Sequence, residues 1–339
     1  MKVSFDSRAS AEENGVGRYS RCIAKALRET ASESDELTET RRPASTVRAR
    51  NPDVFHAPWM DAAMLHSPCP MVVTIHDLAA SKRRTEQMRS GLRLRLRNLA
   101  VQRAISVIVP TEAVALDAVE LLGLERARIV VIPEAADESM YPRGPHEIAR
   151  VLSELGVPER YLVSVGGLQH PVPGRHLAKL AASRRELPLV LVGPSRPWAH
   201  ELPDVTLTGR VSDEQLAAIY SGAHALVIGS EDEGFGLSAV EALACGTPVV
   251  AYETPALREA LGGRARFVES GNVVALIDAA ERARRPAPAP STWTWRDAAR
   301  LTWGVYAQAL ATAPEGRIAA RAPARQSRRQ APLGRLEAQ

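Results

Sequence analysis

Two glutamates, Glu233 and Glu241, flank a glycine-containing turn that opens a predicted helix. The turn reads Gly234-Phe235-Gly236-Leu237, and its two glycines let a ligand approach the backbone closely. Free N–H groups at the start of a helix carry partial positive charge, so the segment from Leu237 onward suits a phosphate. One carboxylate is then placed for sugar hydroxyls and the other for a ribose, which predicts a site for an anionic nucleotide sugar. The spacing alone is weak evidence, because a glutamate such as Glu241 is usually a solvated helix residue.

The elements that must position these residues follow an alternation of β-branched runs and helical stretches. One series extends from residues 2–6 to residues 129–132, and a second extends from residues 161–165 to residues 266–268. Apolar runs without polar alternation are typical of parallel strands covered on both faces, so each series predicts a Rossmann-like domain. Ligands bind at the carboxyl ends of such strands, which places the site in a cleft between the two domains.

Length and composition agree with this organisation. A chain of 339 residues exceeds what one hydrophobic core usually organises, and 45% hydrophobic with 24% charged residues is the composition of a globular protein. The three cysteines lack the spacing of a zinc site and the polar first ten residues lack a signal peptide, so a cytoplasmic location is predicted. Six arginines and two glutamates in residues 314–339 account for the net charge of +4, and we expect this basic tail to be disordered. The high isoelectric point is therefore no argument for a nucleic-acid partner.

Residues 229–251 read Gly-Ser-Glu-Asp-Glu-Gly-Phe-Gly-Leu-Ser-Ala-Val-Glu-Ala-Leu-Ala-Cys-Gly-Thr-Pro-Val-Val-Ala, which resembles the donor-binding signature of the retaining glycosyltransferases of family 4 (GT4). That family has the GT-B fold, an α/β architecture of two facing Rossmann-like domains. The resemblance implies that Glu233 contacts hydroxyl groups of the donor sugar and acts in catalysis. It also implies that the backbone of residues 234–237 aligns this sugar and that Glu241 binds ribose hydroxyls.

Two stretches of the first half resemble the mannosyltransferase-like branch of this family. Residues 14–21, Asn-Gly-Val-Gly-Arg-Tyr-Ser-Arg, resemble its glycine loop, which implies that the backbone of Gly15 and Gly17 lies near the donor diphosphate or the acceptor. The alternative is a structural turn with a glycine at the helix N-cap. Residues 72–78, Val-Val-Thr-Ile-His-Asp-Leu, resemble its strand ending in His-Asp, which implies that His76 contacts the transferred sugar or the acceptor and acts in catalysis. The alternative is a histidine that is merely hydrogen-bonded in its loop.

The phosphate-binding segment departs from the family pattern. Residues 163–168 resemble the strand and glycine turn that include Gly167, after which an arginine and a lysine normally neutralise the donor diphosphate. Here residues 169–177 read Gln-His-Pro-Val-Pro-Gly-Arg-His-Leu, so Arg175 is the evident cation, with Lys179 as a compensating candidate. One guanidinium for two phosphates predicts weaker donor binding, because charge-assisted contacts are the strong ones.

Residues 208–216 resemble the family's loop that borders the nucleobase. The resemblance implies that Gly209 and Arg210 line the base pocket. Ser212 and Gln215 in the same stretch have the spacing of a helix capping box, which is a structural explanation for half of the motif.

Two further segments differ from the family or stand apart from its motifs. Glu134 follows Pro133 where relatives usually have Asn-Gly, and we expect this change to alter hinge geometry without an effect on the chemistry. Residues 82–103 hold eight basic residues and one acid, which predicts a basic surface for weak, peripheral contact with an anionic membrane face. The alternative is a solvated helix whose arginine stems cover leucines.

The resemblance as a whole implies retaining transfer of a hexose from a nucleotide diphosphate sugar to a hydroxyl acceptor. Neither a divalent metal nor another cofactor is expected, and the sequence has no Asp-x-Asp triplet. The resemblance of the motifs in the first half to mannosyltransferases predicts GDP-mannose as the donor and mannose as the transferred sugar, with UDP-sugars as the competing class of donor. We predict an acceptor-side domain over residues 1–145, a donor domain over 146–290, a helix over 291–313 that packs back toward the first domain, and a tail over 314–339.

Two other function classes remain open at this point. A nucleotide-sugar epimerase shares the GT-B architecture and would convert a donor without an acceptor. A non-catalytic protein that binds a nucleotide sugar or a partner would agree with the weakened phosphate site and the basic tail. A dehydrogenase is disfavoured, because no Gly-x-Gly-x-x-Gly follows the first strand.

Overall fold

A computed structural model describes residues 1–12, 14–82, 84–169 and 175–313, without the side chains of residues 80, 84–90 and 175. Within these residues the chain forms two six-stranded sheets, and the strands of both pair in parallel. The predicted α/β class with two Rossmann-like domains is thereby confirmed. The predicted tail, residues 314–339, lies outside the described residues.

The first sheet has the order β2-β1-β3-β4-β5-β6 and the second has the order β12-β11-β10-β7-β8-β9. The strands are β1 (Lys2–Asp6), β2 (Glu36–Thr40), β3 (Val54–Ala57), β4 (Met71–Thr74), β5 (Ser106–Val109), β6 (Ile129–Val131), β7 (Leu162–Val165), β8 (Leu189–Val192), β9 (Val205–Leu207), β10 (Ala225–Ile228), β11 (Val249–Tyr252) and β12 (Ala265–Val268). The helices are α1 (Gly15–Thr30), α2 (Pro43–Arg50), α3 (Ala79–Lys82), α4 (Arg84–Gln102), α5 (Glu112–Leu122), α6 (Pro145–Leu155), α7 (Arg175–Ala182), α8 (Asp213–Gly222), α9 (Leu237–Ala244), α10 (Pro255–Leu261), α11 (Val273–Glu281) and α12 (Trp295–Ala311).

Helices cover both faces of each sheet, which explains the continuous apolar runs. In β4, Val72 packs in the cluster that includes α1 and α12, whereas Val73 packs in the opposite cluster with α5. In β7, Val163 and Leu162 divide in the same way between two clusters of the second sheet. The alternation follows from strand geometry, because successive side chains point to opposite faces. Among the helices of the described ranges, none is long and apolar enough to cross a membrane.

The edge strand β2 is an element that the apolar pattern does not predict. Its sequence is Glu-Leu-Thr-Glu-Thr, and it pairs with β1 from Glu36 opposite Lys2 to Thr40 opposite Asp6. An edge strand needs no apolar run, because one of its sides faces no further strand, and polar or charged side chains protect such an edge from unwanted pairing.

The last helix returns from the second sheet to the first half of the chain. A capping box of Thr294 and Asp297 starts α12, and the helix packs along α1. Its Trp303 Nε1 donates a hydrogen bond to the carbonyl of Leu27 at 3.2 Å. Its Tyr306 hydroxyl lies 2.6 Å from His56 Nδ1 on β3, so α12 completes the core of the first half.

Candidate active site

The signature turn, residues 233–237, lies between β10 and α9 and touches the first half of the chain. Gly234 lies so close to the carbonyl oxygen of His76 that an added Cβ would stand 1.7 Å from it. The carbonyl of Gly234 accepts a hydrogen bond of 2.9 Å from the Thr111 hydroxyl, which follows β5. Gly236 has φ +87°, a conformation that favours glycine, and caps α9. The turn therefore meets the carboxyl ends of β4 and β5 at the cleft between the two halves.

The other two residues of this turn differ in what they present. The side chain of Phe235 is 7% exposed and packs in the core of the second half, so it anchors the turn and leaves only its backbone for a ligand. Leu237 is half-buried and is the first residue of α9, where the helix has N–H groups without intrahelical acceptors. The backbone role predicted for this segment is therefore compatible with the packing.

Glu233 is partly buried, and its carboxylate accepts a hydrogen bond from the Ser230 hydroxyl. Burial, together with the nearby charges of Asp77 and Glu134, raises the pKa of Glu233 to about 7 against the opposing effect of the Ser230 hydrogen bond. A carboxyl group with such a pKa exchanges its proton near neutral pH, which is a property typical of functional sites.

Glu241 lies under a cation from the other half of the chain. The carboxylate is 2% exposed, and Nε of Arg18 stands 3.1 Å from its Oε1. Nη2 of Arg18 is 2.6 Å from Asp213 on α8, so one guanidinium joins two carboxylates of the second half. Burial raises the pKa of Glu241, although the charge of Arg18 acts to lower it. Burial acts to lower the pKa of Arg18, but the charges of Glu241 and Asp213 outweigh burial and raise it. This group, Arg18 with Glu241 and Asp213, is called the interdomain bridge below.

His76 is fixed through both nitrogens of its ring. Nδ1 lies 2.9 Å from Oε1 of Glu134, and Nε2 lies 2.9 Å from the carbonyl oxygen of Pro58. The ring of Tyr19 packs edge-on at 4.5 Å between centroids. Glu134, which was expected to alter hinge geometry without an effect on the chemistry, therefore contacts a predicted site residue directly. The ring nitrogens of His76 are already engaged, so a sugar contact would have to involve the ring carbons or the backbone.

The glycine loop before α1 is explained in part by helix capping. Asn14 is the N-cap of α1, and its Oδ1 accepts a 2.9 Å hydrogen bond from the N–H of Gly17. A Cβ at Gly17 would stand 2.0 Å from the carbonyl oxygen of Glu12. The predicted donor contact of the Gly17 backbone is corrected accordingly, because its N–H is bonded and its Cα faces protein. Gly15 is exposed with open space at its Cα, and the N-cap is Asn14 rather than a glycine.

The remaining donor-side residues lie at the loops that follow β7 and β9. Gly167 has φ +75°, and Gly209 has φ +67° with its carbonyl accepting a 3.1 Å hydrogen bond from the N–H of Gly193. Arg210 and Lys179 are exposed. Arg175 begins α7, but its side chain lies outside the described residues, so its predicted diphosphate contact stays a prediction. The capping box of Ser212 and Gln215 at the start of α8 is confirmed.

Four residues at this cleft were absent from the predicted site. Arg18 and Ser230 stand inside the motifs quoted above. A charged or hydroxyl-bearing residue near the motif glycines was therefore the sequence signal that could have identified them as site residues. Glu134 and Thr111 reach the site only through contacts with residues distant in sequence, at separations of 58 and 123 positions. No local sequence pattern predicts such contacts.

Two family models match the two halves of the chain. Residues 10–139 match the model described as Glycosyltransferase Family 4, and residues 160–285 match the one described as Glycosyl transferases group 1. The D-inositol 3-phosphate glycosyltransferase of Gordonia bronchialis is 32% identical over 220 residues, which are 57% of this chain and 48% of that relative. The protein of the same name from Mycolicibacterium smegmatis is 32% identical over 229 residues, which are 62% and 51% of the two chains. The chain spans about half the length of these curated relatives.

Solved structures share the whole architecture. HepE of Anabaena, in a crystal structure with UDP-glucose, has a TM-score of 0.65 at 19% identity over 92% of this chain and 99% of that one. Sucrose-phosphate synthase of Thermosynechococcus elongatus has a TM-score of 0.66 at 19% identity over 91% and 97% of the two chains. At this identity the likeness shows the fold, which is GT-B, as predicted. The first half of the chain thus matches the Glycosyltransferase Family 4 model and the second half matches the Glycosyl transferases group 1 model, each over less than half of the chain, and the two halves share the GT-B fold.

Proposed function

We propose that this protein transfers a sugar from a nucleoside diphosphate sugar to a hydroxyl group, with retention of the anomeric configuration. The observation that carries the proposal is the meeting of the signature turn with the strand ends of the other half, where Gly234 packs on the carbonyl of His76. Glu233 stands in that turn with the pKa of its carboxyl raised to about 7. A sugar held there would lie between both domains, as a transfer between two substrates requires.

The roles follow the chemistry of each group. Glu233 accepts hydrogen bonds from hydroxyls of the donor sugar, and the backbone of residues 234–237 aligns it. Glu241 binds ribose hydroxyls, Arg175 the diphosphate, and Gly209 with Arg210 borders the base. Alignment of this type is a large part of the rate, because a well-oriented bound reactant has already given up its translational freedom.

The donor is a nucleoside diphosphate sugar, and mannose from GDP-mannose stays a prediction. Crystal structures of HepE with UDP and with UDP-glucose make UDP-sugars the first alternative. For the acceptor, the name of the curated relatives, D-inositol 3-phosphate glycosyltransferase, supports a polyol phosphate such as inositol phosphate. A phosphorylated acceptor also agrees with the basic character of residues 82–103.

Binding is the first test. Thermal unfolding should be measured with GDP, UDP, ADP and TDP, since a ligand that binds the folded state raises its stability with occupancy. Glu241→Gln should weaken binding of the stabilising nucleotide in calorimetry, whereas Glu120→Gln, on the exposed side of α5, should not. An unchanged affinity in Glu241→Gln would remove Glu241 from the ribose site.

The second test distinguishes transfer from the other function classes. The purified protein should be incubated with GDP-mannose, UDP-glucose and UDP-GlcNAc, with and without inositol phosphates, and the products separated. A new glycoside that appears only with an acceptor supports transfer. Conversion of the donor sugar without an acceptor would indicate an epimerase, and binding without turnover across the panel would indicate a non-catalytic protein.

Peripheral membrane contact is proposed for α4 because of its exposed leucines. Leu92, Leu96 and Leu99 are 73%, 43% and 55% exposed at positions i, i+4 and i+7, which lie on one helix face. Arg93 and Arg95 beside them are exposed as well. An apolar stripe with basic neighbours suits the surface of an anionic bilayer. Co-sedimentation with anionic vesicles at low salt should fall in Leu92→Asp but not in Leu116→Asp, which changes a leucine of α5 that is 60% exposed; absence of binding by the wild type would reject the contact.

A further inference from the structure

Both ring nitrogens of His76 face hydrogen-bond acceptors. The carbonyl oxygen of Pro58 can only accept, so Nε2 at 2.9 Å from it must bear a proton. Nδ1 lies 2.9 Å from Oε1 of Glu134, and an ionised carboxylate can also only accept. A neutral ring would direct the lone pair of Nδ1 at this oxygen. An imidazolium satisfies both contacts.

The carboxylate of Glu134 is buried, so it needs a positively charged partner. Its side chain is 7% exposed, and it stands after β6 at the start of the connection between the two halves. The described residues provide one ion-pair partner for it, which is His76. A buried carboxylate without a paired charge is costly, so each member of the pair stabilises the charged form of the other.

We propose that Glu134 is a positioning residue that keeps the ring of His76 doubly protonated and fixed, so that His76 acts as a stationary cation in the cleft and transfers no proton. The inference rests on the proposed function for its consequence, because it defines how His76 takes part in sugar transfer. It also explains the contact at Gly234. By holding His76, Glu134 holds the backbone whose carbonyl packs against the signature turn.

The surrounding charges act in the same direction. Burial lowers the pKa of His76, but the hydrogen bond and the charge of Glu134, the carbonyl of Pro58 and the charge of Asp77 outweigh burial and raise it. Glu233 stands in the signature turn, whose Gly234 packs on the carbonyl of His76, and adds a negative charge to the cleft when ionised. Two further titratable neighbours within the described ranges are His56 on β3, whose pKa is lowered to about 3 by burial and by His76, and the buried phenol of Tyr19. Both of these are neutral at pH 7, so the acids decide the balance.

The protonation state can be measured without any substrate. Long-range ¹H–¹⁵N correlation spectra of the full-length protein report both ring nitrogens of each histidine, and His76→Asn identifies the His76 signals. At pH 7 we expect the imidazolium pattern for His76 and a titration midpoint above that of an exposed histidine, because the negative charge of Glu134 favours the charged ring. A neutral, singly protonated ring at pH 7 overturns the proposal.

Variants assign the effect to Glu134. Glu134→Gln retains a side-chain acceptor but removes the charge, so the His76 midpoint should fall by about one pH unit or more. Glu134→Asp, which keeps the charge, should restore part of the shift. Glu138→Gln is the matched control, because Glu138 lies in the same connection and pairs with Lys25 instead. An unchanged midpoint in Glu134→Gln overturns the role of Glu134, and if that variant does not fold, the wild-type spectrum still decides the charge of the ring.

Turnover provides the link to function. In Glu134→Gln, the ratio of its kcat for sugar transfer to that of the wild type should fall as the pH rises through the lowered His76 midpoint, while KM for the donor changes little. The wild type should show no such fall at that pH. A protein that transfers no sugar would defeat the proposed function and leave the ring titration to stand by itself, whereas normal transfer with a neutral His76 would defeat this inference alone.

Discussion

At the scale of single residues, the cleft is dominated by carboxyl groups whose surroundings set their charge. Glu233 has a raised pKa of about 7 because it is buried near Asp77 and Glu134, and the Ser230 hydroxyl acts against this by bonding the ionised form. An ionised carboxylate is the stronger acceptor for sugar hydroxyls. The working form of Glu233 is therefore expected to be the ionised one, although the cleft favours the neutral one.

Replacing this carboxylate tests its role directly. Glu233→Gln should lower kcat for transfer by about 100-fold, which is the loss that a misplaced substrate of about 1 Å can cause. Nucleotide affinity should stay near that of the wild type, since Glu233 is assigned to the sugar and not to the ribose. Glu231→Gln, an exposed acid two positions earlier, is the control. A variant at position 233 with wild-type turnover would contradict the assignment.

The pH dependence has a defined sign. Because the ionised form works, kcat should rise with pH through about 7, the raised pKa of Glu233. Ser230→Ala removes a hydrogen bond to the ionised form, so the pKa of Glu233 and the midpoint of the rise should move to higher pH. The profile should be measured at saturating donor. A midpoint that stays in place or moves to lower pH in Ser230→Ala would show that Glu233 does not control the rise.

At the scale of elements, the site depends on how closely the turn before α9 meets the end of β4. Glycine is required at position 234 by the carbonyl of His76 and at position 236 by its φ of +87°. The same contact brings Glu233 beside the end of β4. The motif is thus a packing requirement between the two domains, in addition to its proposed role in ligand binding.

Adding one methyl group at this contact should separate the two elements. The Cβ of Gly234→Ala would stand 1.7 Å from the His76 carbonyl, so the backbone must shift at a cost of about 1–3 kcal/mol in unfolding free energy, with loss of transfer activity. Gly304→Ala is the control, because Gly304 is an exposed glycine of α12 with nothing within 4 Å of its Cβ position. It should raise stability by about 0.5–1 kcal/mol. Denaturant unfolding measures both, and a fully stable, active Gly234→Ala would refute the close contact.

The sequence was sufficient wherever a feature depends on neighbours along the chain. Parallel strands covered on both faces, the start of α9 near Leu237 and the capping box of Ser212 all follow from local patterns. The polar edge strand β2 has no apolar signal because it needs none. The pairs of His76 with Glu134 and of Glu241 with Arg18 join residues from different elements, so only the folded chain brings them together.

At the scale of the whole molecule, the two halves meet through polar contacts at the cleft. The interdomain bridge covers Glu241, which is 2% exposed, so a ribose cannot reach this carboxylate while Arg18 is in place. On α5 the N–H groups of Glu112 and Ala113 donate to Glu259 on α10 at 2.7 and 3.1 Å. The proposed contact between Glu241 and the donor ribose therefore requires that Arg18 leaves and that the two halves move apart locally.

Removing the interdomain bridge should strengthen nucleotide binding. Since the apparent affinity of a ligand is reduced by the fraction of protein that cannot bind it, Arg18→Gln should lower the nucleotide dissociation constant, by about fivefold or more for a typical coupling between sites. Arg21→Gln is the matched control, because Arg21 lies one turn later on α1 and, among the residues that the structure describes, donates its hydrogen bonds to the carbonyls of Ser10 and Glu12 in its own half. Calorimetry measures both variants. Weaker binding in Arg18→Gln would mean that Arg18 contacts the nucleotide itself.

The path of α12 has a consequence for the order in which the protein is made. Tyr306 and Trp303 fill the core of the first half, although residues 162–268 form the whole second sheet before them in the chain. During synthesis the second domain can therefore complete its hydrophobic core first. Until α12 is made, the apolar face of α1 in the first domain stays uncovered. Domains generally fold as units in the order of synthesis. Here α12, which completes the core of the first domain, is synthesised after the second domain. A nascent chain halted before Trp295 should therefore expose the apolar face of α1 to chaperones.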